Sequence, residues 1–163
     1  MDRLFYQSGK IYCESCESKK EYFYEEGNLK TVEPYLEGRL HGEVRLFWPN
    51  GQLKRLCHFV KGARHGLDQM WSEGGVLLDS GEYEMGKPIG FHRRFGKNGA
   101  LIEEIEYLDG PRFNLRQWDE TGNVRVEAIW TDPMSYREKT WDRFQNIWIE
   151  KEGFWNGKKL VYV

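Results

Sequence analysis

The chain has 163 residues, with 24 Lys and Arg against 26 Asp and Glu for a net charge of −2. That length holds one domain or one capped repeat array, and the even charge argues against the basic face of a nucleic-acid binder. No apolar run approaches the roughly 18 residues of a membrane-spanning helix, and three cysteines make no disulfide framework.

From the N-terminus, Met1-Asp-Arg-Leu-Phe-Tyr6 lacks the basic-then-apolar layout of a signal peptide, so the expected location is cytoplasmic. Residues 1–21 read as an irregular hairpin or cap, with Phe5-Tyr6, Gly9 and Ile11 as its first turn. Over residues 22–130 the chain repeats. Gly38, Gly62, Gly86 and Gly110 stand 24 residues apart, and Pro133 and Gly157 continue the series at steps of 23 and 24. Each has an aromatic three residues before it: Tyr35, Phe59, Tyr83, Tyr107, Trp130 and Phe154. A fixed period in this range marks a repeat architecture.

A second series lies between the first. An aromatic-rich pair is followed by glycine and an aliphatic at Phe23-Tyr24…Gly27…Leu29, Phe47-Trp48…Gly51…Leu53, Met70-Trp71…Gly74…Val76, Phe95…Gly99…Leu101 and Trp118…Gly122…Val124. Two turns per 24 residues leave stretches of about six to eight, strand length and short for a helix. Asn50-Gly51 and Asn98-Gly99 fit the positive φ of tight hairpins. The aromatic-x-x-Gly-x-x-x-Gly strings, such as Tyr35 to Gly42, point to a wider turn or bulge. Residues 131–163, where glycine fades, read as a degenerate repeat and C-terminal cap. The fold expected is all-β: an elongated, twisted antiparallel β-meander of hairpin repeats about 24 residues long.

These residues resemble the MORN repeat (membrane occupation and recognition nexus) in its bacterial variant form. Phe59-Val-Lys-Gly62-Ala-Arg-His-Gly66, followed by Met70-Trp71-Ser-Glu-Gly74-Gly-Val76, carries the pattern, which runs from about residue 22 to 125. The resemblance implies an elongated antiparallel sheet with no active site. Family members serve as protein-binding or scaffold modules, and some bacterial ones are described as antitoxin-like.

Chemistry-bearing constellations are sparse. Cys13-Glu-Ser-Cys16 has metal-ligand spacing, but structural zinc takes four ligands, usually from two such pairs. Cys57 is the one other cysteine. Ordinary thiols are expected, with no metal and no cofactor. Glu25-Glu26, Glu103-Glu104 and Asp119-Glu120 are neighbours that point to opposite faces of a strand, so no catalytic pair is read from them and no enzyme activity is expected. Arg93, Arg94 and Lys97 form the densest basic spot. They are the candidate anionic-ligand patch for the alternative reading, a peripheral membrane or phospholipid-binding module, although Glu103, Glu104 and Glu106 are placed to neutralise them.

The function expected is non-catalytic protein binding or scaffolding. The candidate partner-binding aromatics are Trp48, Trp71, Phe95, Trp118 and Trp141, because a one-layer sheet leaves one face uncovered and exposed aromatic stripes mark interaction surfaces. The structural glycines are Gly38, Gly51, Gly62, Gly74, Gly86, Gly99, Gly110 and Gly122. The C-terminal Lys159-Leu-Val-Tyr-Val163 is a candidate for self-association through an unpaired strand.

Overall fold

The computed structural model describes residues 1–110, 112–156 and 158–163. Gly157, the last glycine of the first series, lies outside the described residues. Among those described there are sixteen strands and no helix, and the order follows the chain except that β4 pairs with β6 while the short β5 pairs with β4 off the path. The fold is the expected all-β meander of hairpins.

The chain divides into two compact units, residues 1–88 and 89–163. The first holds β1 (Asp2–Phe5), β2 (Ile11–Cys16), β3 (Lys19–Phe23), β4 (Leu29–Leu36), β5 (Arg39–Leu40), β6 (Gly42–Phe47), β7 (Leu53–Val60), β8 (Ala63–Trp71) and β9 (Leu77–Glu84). β10 (Lys87–Phe95) lies in the second from Ile89 onward, and that unit continues through β11 (Leu101–Tyr107), β12 (Phe113–Trp118), β13 (Val124–Trp130), β14 (Ser135–Asp142), β15 (Ile147–Trp155) and β16 (Leu160–Tyr162).

The two glycine series make two different turns, and their chemistry is the reverse of the expectation. The tight two-residue turns belong to the first series. Glu37-Gly38, Lys61-Gly62 and Met85-Gly86 each hold both residues at positive φ (51° and 73°, 51° and 86°, 47° and 87°), the geometry that matches strand twist in a two-residue hairpin. The second glycines of these strings, Gly42 and Gly66 (φ 105° and 86°), sit a few residues beyond the turn. Near them the pairing skips, between the Leu40 and Leu46 partners of β4 and between Arg64 and Asp68 on β8, so they allow a bulge rather than a wide turn.

The second series closes longer tips. Gly51 donates its N–H to the Trp48 carbonyl at 2.8 Å, and Trp48 donates to the Gln52 carbonyl at 2.8 Å. Of Asn50 and Gly51, Gly51 is the one with positive φ. The same bonds recur at Tyr6 with Gly9, Tyr24 with Gly27, Ser72 with Gly75, Gly96 with Gly99 and Asp119 with Gly122. Gly75, not Gly74, therefore closes the third array tip, with φ 82°. The spacing from Gly51 through Gly75 to Gly99 becomes 24 and 24.

Where glycine is missing, side chains close the turns. The Asp132 carboxylate accepts from the Met134 and Ser135 amides, and Asp142 accepts from those of Phe144 and Gln145. Asn146 takes the positive φ (55°) in place of a glycine.

Burial is thin. The buried side chains Val44, Cys57 and Asp68 lie directly across from one another, with Gly81 next in the row. Small residues there leave room for longer neighbours to fold over them. Arg55 grips Asp68 with two hydrogen bonds of 2.8 and 2.7 Å, and Arg64 reaches it at 3.4 Å. A buried carboxylate is tolerable only when so satisfied.

Candidate docking surface

The hairpin tips of the first unit are stitched together by side chains. The hydroxyl of Tyr6 donates to the Phe23 carbonyl at 2.8 Å, and that of Tyr24 to the Phe47 carbonyl at 2.8 Å. The indole of Trp48 donates to the Trp71 carbonyl at 3.1 Å. The side-chain amides of Asn28 and Asn50 donate hydrogen bonds to the Pro49 and Glu73 carbonyls, at 2.7 and 3.1 Å. Each tip thus satisfies backbone groups of the next. The series ends where Ser72 takes the aromatic's place and accepts from the Val76 amide instead.

This arrangement divides the candidate aromatics. Trp48 is the first residue of a tip, and the Lys54 ammonium stands 4.2 Å from its ring centre. Trp71, Phe95 and Trp118 occupy a different phase, the last residue of a strand before the tip. All five are half-buried. Trp48 and Trp71 lie in the first unit and Phe95, Trp118 and Trp141 in the second. Trp141 packs edge-on against Trp148 with ring centres 5.4 Å apart.

The basic spot is likewise dispersed. Arg93 and Arg94 are strand neighbours on β10, so their side chains leave opposite faces. Arg93 pairs with Glu104 at 2.8 Å and Arg94 with Glu103 at 3.2 Å, and Lys97 is exposed in the following turn. Arg93 instead begins a charge ladder. Directly opposite one another across six strands stand Arg93, Glu104, Arg116, Glu127, Lys139 and Glu150, in alternating sign. Arg116–Glu127 and Lys139–Glu150 close at 2.9 and 3.0 Å.

The ladder stops at an open edge that sequence reading missed. β14 pairs with the whole of β15, but β16 covers just Gly153, Phe154 and Trp155 of its other side. The Val163 amide donates to the Glu152 carbonyl at 2.9 Å, whereas the Trp155 amide turns inward to the Met134 carbonyl. By the two-residue period of a strand, Trp148 and Glu150 share the outward direction of Glu152. No described strand pairs with the outer side of Ile147–Lys151. Ile147, Trp148 and Ile149 there are 47%, 41% and 41% exposed. The C-terminal segment read as a candidate for edge pairing contains β16, the last strand of the order, joined to β15 on one side.

Chemistry elsewhere is quiet. Cys13 and Cys57 are buried and Cys16 exposed, all three free thiols. Burial pushes the Cys13 and Cys57 thiols up, while a hydrogen bond from Ser18 draws Cys16 down. Among the described residues no three His, Cys, Asp or Glu side chains are grouped to hold an ion.

Hairpins that share one pair of turns every 24 residues, with stitches from tip to tip, define a β-hairpin repeat protein. The family model for the MORN repeat variant matches residues 40–61, which run from β5 to the Lys61 turn and span one unit of that repeat. That match supports a MORN-type repeat at those residues. No curated protein matches the chain.

Proposed function

We propose that the chain is a non-catalytic protein-interaction or scaffold module that docks partners on the open edge of β15. The observation that carries this reading is the unpaired outer side of Ile147–Lys151, bordered by three exposed apolar side chains. Natural sheets usually blunt such an edge with charge, proline or a covering segment. Here an isoleucine, a tryptophan and a second isoleucine stand on it in succession. An added strand would gain backbone hydrogen bonds from Trp148 and Glu150, and specificity from the side chains that alternate between the two faces. A bacterial, cytoplasmic setting accords with the reading, and an antitoxin-like role would be docking of this kind that blocks the bound protein.

Cross-linking mass spectrometry on the full chain in its source cells tests it. Ile147→Lys with Ile149→Lys, both exposed and outside the buried row and the Trp141–Trp148 contact, should leave the circular dichroism of the sheet unchanged and remove the captured partners. The lipid-surface alternative predicts something else: binding to anionic vesicles that Arg93→Ala and Arg94→Ala weaken, with partners indifferent to β15. That outcome would overturn the proposal.

A further inference from the structure

We infer that the strand added to β15 is β1 of a second copy of this chain, joined head to tail. The inference rests on the docking role of the β15 edge and names its occupant.

β1 pairs with β2 on one side, and no described strand lies on the other. Its residues are exposed, Leu4 at 60% and Phe5 at 57%. Laid antiparallel on β15, its four residues fall opposite Trp148, Ile149, Glu150 and Lys151. The register that sets Arg3 against Glu150 also sets Asp2 against Lys151, Leu4 against Ile149 and Phe5 against Trp148. Two opposite-charge pairs, one aliphatic pair and one aromatic pair result, each a favourable cross-strand combination. The alternation of sign carries across the joint as far as Glu14, whose next neighbour in the row is Glu21. Glu150 ends it in one copy, and Arg3, already 2.7 Å from Glu14, resumes it in the next.

The backbone agrees with this register. Phe5 holds the place that Phe23, Phe47 and Trp71 hold in later hairpins, whose carbonyls turn toward the preceding tip and accept from Tyr6, Tyr24 and Trp48. The Tyr6 amide turns the other way, to the Lys10 carbonyl of its own hairpin. Phe5 and Arg3 therefore direct their backbone groups away from β2, as Trp148 and Glu150 direct theirs away from β14. An antiparallel ladder needs outward residues opposite outward residues, and this register provides both pairs. Pairing β15 with β15 of a second copy does not satisfy the charges: Glu150 would meet Trp148 or another Glu150.

Four residue pairs make a small interface, so the association is weak and favoured by low salt. Sedimentation equilibrium of the full chain should show oligomers that grow with concentration. Arg3→Glu and Glu150→Lys should each weaken association about tenfold, as like charges come to face each other. The Arg3→Glu/Glu150→Lys double variant, or an equimolar mixture of the two single variants, should restore it, a rescue that mere damage to either strand would not give. As an independent check on register, chains carrying Leu4→Cys and chains carrying Ile149→Cys, mixed with glutathione disulfide as oxidant, should form a disulfide between positions 4 and 149. Those positions form a non-hydrogen-bonded pair at bridging distance. Leu4→Cys with Ile147→Cys should not. A chain that stays monomeric at every concentration, or a mixture that does not regain association, overturns the second-copy assignment. The docking role fails separately, if β15 substitutions leave captured partners in place.

Discussion

At the residue scale, turn glycines matter through φ. Gly74 and Gly75 are adjacent, and either satisfies the sequence pattern of a tip. Gly75 is the one at φ 82°, while a Cβ on Gly74 would meet nothing closer than the Ser72 Oγ at 3.9 Å. Gly75→Ala should destabilise the chain by about 1 kcal/mol and Gly74→Ala by much less, as read from urea unfolding midpoints; equal losses would contradict the turn assignment. The ambiguity explains why the repeat period was legible and this phase was not. A doubled glycine carries no mark of which residue adopts the left-handed conformation. The tight-turn positions Glu37, Lys61 and Met85 were illegible for a related reason: positive φ at a non-glycine residue is imposed by hairpin twist, not announced by residue type.

At the scale of elements, the repeat coheres through contacts made once per hairpin. Strand length and antiparallel order were readable from turn spacing, because each turn chemistry has few geometric solutions. The tip-to-tip stitches were only half visible. The aromatic recurrence showed, but a tyrosine hydroxyl or an indole N–H reaching a neighbour's carbonyl depends on how hairpins stack. Tyr24→Phe keeps the ring and deletes the bond to the Phe47 carbonyl. It should cost about 1 kcal/mol, detected as a lower unfolding midpoint. Tyr12→Phe, on a strand and outside this series, serves as the control. Stabilities that match between the two variants would mean the stitch contributes nothing.

At the scale of the whole molecule, the open edge of β15 was the feature least legible in the sequence. Ile147-Trp-Ile-Glu-Lys151 reads like any other strand, and its exposure arises because β16 spans three residues where β15 spans nine. The charge ladder is equally hidden, since Arg93 and Glu150 become members of one row only after six strands fall into register. The basic spot at Arg93 and Arg94 was visible, and so were its neutralising glutamates. Direct pairing disposed of it as a compact patch. What remains is a meander that pairs neighbouring strands along each unit and, among the described residues, leaves the outer sides of β1 and of Ile147–Lys151 without a partner strand.

The most direct test of the open β15 edge is residue-resolved amide exchange on the dilute chain. The account predicts alternation along β15: slow exchange at Ile149 and Lys151, which face β14, and fast exchange at Trp148 and Glu150, which face outward, with those two slowing when a partner strand docks. Uniform protection across residues 148–151 in the dilute chain, or exchange at Trp148 and Glu150 that no bound partner alters, would contradict it.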